Sequence, residues 1–60
     1  MTFLEALNSQ KKVRSEFWSE NQTLDTTVFT DEMDDMIKQM LSITAKPITW
    51  QEIFGLWFFV

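Results

Sequence analysis

The chain has no cysteine, no histidine and no tyrosine, and only one glycine and one proline in 60 residues. Without cysteine and histidine there is no disulfide, no thiol nucleophile, no Ser-His-Asp arrangement and no zinc or haem ligand set of the usual kinds. The sequence therefore points to binding and not to catalysis, with no cofactor and no metal. The lack of cysteine also suits a reducing compartment. With Glu5 where a secretory leader would be basic, and no lipidation motif after Met1, a cytoplasmic address is the expectation. Basic residues are scarce as well: five Lys and Arg stand against nine Asp and Glu, for a net charge of -4. Lys11, Lys12 and Arg14 sit together, whereas Glu16, Glu20, Asp25, Asp31, Glu32, Asp34 and Asp35 form an acidic middle. Phosphate would be repelled there, so direct nucleic-acid binding is not expected.

What the chain does have is apolar mass. Hydrophobic residues make up 45% and aromatics 15% of it, too rich for a disordered segment. The last eight residues, Ile53-Phe54-Gly55-Leu56-Trp57-Phe58-Phe59-Val60, carry seven large apolar side chains and no charge. Burying side chains of this size is worth roughly 1.5 to 3 kcal/mol each. One domain, residues 1–60, has little surface with which to hide them, and a domain this small gains from association. The segment is far shorter than the roughly 20 apolar residues needed to span a bilayer, and it lacks a basic flank for anchoring on one, so no membrane role is expected.

With turn residues scarce, helix caps provide the punctuation. Thr2 and Glu5 read as a capping box opening a helix over residues 3–19, with Phe3, Leu4, Ala6, Leu7, Val13, Phe17 and Trp18 on one half of it. Gln10 and Arg14 fall in the middle of that face. Arg14 is explained either by its stem lying over apolar surface or by an ion pair with an acidic residue of the second helix or of a partner. Residues 21–30 lose the helical period and read as a connection pinned by Leu24, Val28 and Phe29.

A second helix, over 31–45, starts on Thr30 or Asp31 with an acidic first turn. Met33, Met36, Ile37, Met40, Leu41 and Thr44 form an unbroken stripe along it, read as core or as an adaptable methionine groove. The cluster Asp31, Glu32, Asp34, Asp35 lacks the glycine and spaced glutamate of a calcium loop, so it reads as helix-start chemistry or as charged contacts. After Pro47, Thr49 and Glu52 signal a third helix over 50–60, with Ile48 set to pack on Ile53.

These readings give an all-α, three-helix domain that self-associates. The competing architecture is α+β, with the third helix broken at Gly55 and short strands near 26–29 and 56–60. The expected function is that of a non-enzymatic protein-interaction module: an adaptor, assembly or accessory factor that forms a homo-oligomer or docks on a larger complex. Its binding residues would be Trp50, Phe54, Leu56, Trp57, Phe58, Phe59 and Val60, with Arg14, Asp31, Glu32, Asp34 and Asp35 as possible charged contacts. The alternative is an acidic inhibitor, of the kind a phage or mobile element encodes, that occupies a basic nucleic-acid-binding site on an enzyme.

Overall fold

The computed structural model describes every residue from Met1 to Val60. Helix α1 spans Phe3–Leu7, strand β1 Lys12–Ser15, strand β2 Leu24–Asp25, helix α2 Asp35–Ala45, helix α3 Trp50–Phe54 and strand β3 Trp57–Phe59, with a short 3-10 turn at Thr26–Val28. The three strands form one antiparallel sheet in the order β2-β1-β3. The all-α expectation is therefore wrong, and the α+β architecture is the observed one.

The first helix is the larger correction. The Thr2–Glu5 capping box forms in both directions, but α1 ends at Leu7, where Asn8 caps it by donating from Nδ2 to the Leu4 carbonyl at 2.9 Å. Gln10 then takes a left-handed backbone with φ of 56°, reversing the chain without a glycine. Thr26 locks the reversal. Its buried Oγ1 donates to the Lys11 carbonyl at 2.7 Å and accepts from the Lys11 amide at 3.0 Å. Residues 12–15, expected to be helical, enter the sheet instead, with Val13 and Ser15 pointing inward and Lys12 exposed on the other side.

The second strand is shifted from the position expected for it. Leu24–Asp25 pairs with β1, and residues 26–28 turn as a 3-10 segment started by Asp25, whose carboxylate accepts from the Thr27 amide at 2.9 Å. Helix α2 begins at Asp35, later than expected, because Asp34 and not Thr30 or Asp31 caps it, accepting from the Ile37 amide at 2.8 Å. Helix α3 stops at Phe54, and Trp57–Phe59 is a strand.

The core is small: Phe3, Ala6, Leu7, Val13, Trp18, Leu24, Phe29 and Trp57, with Met1, Met33, Ile48 and Ile53 packed around it. Trp57 is its hub and is 0% exposed. Its indole lies 5.1 Å from the Phe3 ring and meets Trp18 edge-on at 4.9 Å, while Nε1–H donates to the Glu52 carbonyl at 2.7 Å. Both features are what a buried indole requires, apolar contact for the ring and a partner for its N–H. The main chain of Trp57 is held from the far end of the sequence. Its amide donates to the Met1 carbonyl at 2.8 Å, and its carbonyl accepts from the Met1 amino group at 3.0 Å.

Helix α2 reverses the usual sidedness of an amphipathic helix. Lys38 and Ser42 face inward and are buried, with Lys38 Nζ donating to Asn8 Oδ1 at 2.6 Å and Ser42 Oγ to the Lys38 carbonyl at 2.7 Å. Lys46, at its C-terminal end, sits 4.5 Å above the Trp18 ring. The apolar stripe, read as core or as a methionine groove, faces solvent: of its members only Met33 is drawn toward the core, while Met36 and Met40 are 70% and 63% exposed.

Candidate protein-binding surface

Once Pro47 has removed a backbone donor, Thr49 starts α3 by accepting from the Glu52 amide at 3.4 Å. Of a reciprocal capping pair between Thr49 and Glu52, only this half is present. The Glu52 carboxylate turns elsewhere, and its Oε2 is shielded from solvent without a hydrogen-bond partner. Ile53 packs toward the core, which sends Trp50 and Phe54, one turn apart, outward together. Their rings stack at 5.8 Å with an interplanar angle of 16°, and they remain 73% and 80% exposed. Both are among the binding residues expected from the sequence. A helix of barely more than one turn has one inward stripe, and Ile53 occupies it.

Gly55 links this pair to the sheet. A Cβ there would lie 2.9 Å from Gln51 O, Glu16 Oε2 and Phe17 Cε2, so the closeness of its neighbours demands glycine. The Glu16 carboxylate accepts the Leu56 amide, and Phe17 lies against Gly55 with its ring largely in solvent. Phe17 was expected in the core of a long first helix. It is instead on the turn after β1, beside the exposed aromatics.

Strand alternation sorts the rest. Because Trp57 points inward, Leu56, Phe58 and Val60 share the outer face of the sheet. The ladder runs past the strand ends, with the Glu16 amide donating to the Leu56 carbonyl at 3.0 Å and the Val60 amide to the Lys12 carbonyl at 3.1 Å. Leu56 thus stands opposite Glu16, Phe58 opposite Arg14 and Val60 opposite Lys12. Leu56, Phe58 and Val60 are all exposed. The Arg14 guanidinium lies 5.5 Å from the Phe58 ring centre, and its Nη1 reaches the Trp18 carbonyl at 3.5 Å, so Arg14 packs on an aromatic ring. Phe59 is on the inner side but at the rim, half-exposed under Lys11 Nζ at 4.8 Å.

Six of the seven apolar residues singled out at the C-terminal end are therefore at the surface, and Trp57 belongs to the chain's own core. The acidic residues do not gather beside them. Asp34 caps α2, Asp35 accepts from Asn8 Nδ2 at 3.3 Å, and Asp31 and Glu32 extend into solvent before the helix. No group of three acidic side chains is arranged to hold a metal ion, and no helix is long and apolar enough to cross a membrane. The surface has no enclosed cleft, so what it offers a ligand is open faces. No family model matches the chain, and no curated protein or solved structure matches it either.

Proposed function

We propose that this chain is a non-catalytic protein-binding module. Its contact surface is the ridge of Trp50, Phe54, Phe17 and Leu56, continued by Phe58 and Val60 on the bare face of the sheet. The observation that carries the reading is the Trp50–Phe54 stack, two large rings held against each other and left almost wholly in water. Aromatic side chains of this kind dominate binding hot spots, and rings already fixed by stacking lose little freedom when a partner covers them. Lys12 and Arg14 rim the same face, so the partner is a protein segment of apolar residues flanked by acidic ones. A cytoplasmic location, in keeping with the absence of cysteine, goes with this reading.

The test is selection from a displayed peptide library. Apolar peptides with acidic flanks should be enriched, and Trp50→Ala combined with Phe54→Ala should weaken their binding about 30-fold or more, the loss of roughly one hot-spot residue. Equal binding by the double variant would refute the proposal. The acidic-inhibitor alternative has less behind it: Glu16, Asp25, Asp34 and Asp35 each accept a hydrogen bond within the fold.

A further inference from the structure

The outward face of α2 is separate from the aromatic ridge and has no use in the function proposed above. At 100° per residue, Met36, Met40 and Ile43 form a line flanked by Ile37 and Leu41, and the centre of this patch is nearly opposite the buried pair Lys38 and Ser42. All five apolar side chains are exposed. The polar side of the helix is packed on the molecule, and the side built for packing is bare.

We propose that this face binds a second copy of the chain, the two α2 helices packing antiparallel about Met40. Charge favours a copy in that orientation. Asp31, Glu32, Asp34 and Asp35 crowd the start of the helix and Lys46 stands at its end, with no charge on the apolar stripe between them. Parallel packing would set four carboxylates against four. Antiparallel packing puts the two acidic clusters at opposite ends of the pair and sets the helix dipoles in opposition, while each Lys46 stays over its own Trp18 ring. Two methionines near the centre of the patch let the surfaces adjust to each other, as unbranched thioethers do.

The area sets the class of interface. The five side chains present about 500 Å² per copy, or about 1,000 Å² in a symmetric pair, at the small end of specific interfaces. An interface this small is typical of weak, transient association, so the dimer is expected to be concentration-dependent in the micromolar range.

Sedimentation equilibrium from roughly 1 to 500 µM brackets that range. The expected result is a mass that rises from one 7.2 kDa chain toward two. Met40→Glu and, separately, Ile43→Lys should each weaken the dimer more than about tenfold while circular dichroism stays unchanged, since both side chains already face water. Trp50→Ala with Phe54→Ala should dimerise like wild type. The natural absence of cysteine makes disulfide trapping clean. Met36→Cys mixed with Thr44→Cys should cross-link faster than Met36→Cys alone. A wild-type chain that stays monomeric at the highest concentration, or a Met40→Glu chain that dimerises as well as wild type, would overturn the proposal. Faster cross-linking of Met36→Cys alone would overturn the antiparallel arrangement.

Discussion

Trp57 shows how much one side chain can carry in a chain this short. Its ring fills the space between Phe3 and Trp18, and its N–H has its partner, so truncation removes both packing and a satisfied polar group. Trp57→Ala should cost about 3 to 5 kcal/mol, comparable to the whole stability of a domain this size. Its circular dichroism at 25 °C should be that of an unfolded chain. Gly55→Ala is a gentler test of close packing. The added methyl meets a backbone oxygen at 2.9 Å, so a loss of about 1 to 3 kcal/mol in urea unfolding is expected. Two carboxylates set the response to acid. Glu5 is held below its ordinary value of 4.5 by the Thr2 amide and hydroxyl, and Asp25 below 3.8 by the Thr27 hydroxyl and amide. Each therefore lends stability above its ordinary value and withdraws it as the pH falls below, because the unfolded chain then binds more protons than the native one. Glu5→Gln should unfold more readily than wild type at neutral pH, and the two should converge on acidification; a constant gap across the titration would count against this account.

Among the elements, sequence and structure agree where capping chemistry is local and part where the decision is made by tertiary contacts. Thr2–Glu5, the helical run of α2 and the start of α3 after Pro47 could all be read, because each depends on residues three or four apart. The break at Gly55 and a strand beyond it were legible as the competing architecture. Strand β1 was not, since Lys-Val-Arg-Ser carries one strong apolar residue, and Val13 falls with Leu7 and Trp18 on one half of the expected helix. The turn before it uses Gln10 in a left-handed conformation, which no glycine or asparagine at that position announces. The stripe on α2 was legible as a stripe, but its direction was not, because periodicity says that apolar residues share a face and not which way the face looks. On the inward side of α2 stands Lys38, its ammonium held against Asn8. Replacing a buried, sparsely bonded charge with an apolar chain of similar length is neutral or favourable, and exposed Asn8 can bond to water instead. Lys38→Met should raise the midpoint of thermal unfolding by about 4 to 8 °C, the shift that 1 kcal/mol produces in a domain this small. A lowered midpoint would mean that the lysine contributes more than its one hydrogen bond.

For the molecule as a whole, a core of eight residues leaves most of the apolar surface outside, on two distinct faces. The candidate site was legible in kind, since an aromatic C-terminal segment with more surface than the fold can cover is visible in composition alone. Its membership was legible only in part. Trp57 moved to the interior, and Phe17 joined the ridge from a distant part of the chain, brought there by the β1–β3 pairing that no local pattern encodes. The paired main-chain bonds between Met1 and Trp57 also govern the order in which this protein can assemble. Until Trp57 is free to fold, α1 and β1 have nothing to close over them, and the space the indole fills between Phe3 and Trp18 stays open. A chain truncated after residue 55 should therefore be as sensitive to protease as an unstructured peptide, whereas one that includes β3 should resist.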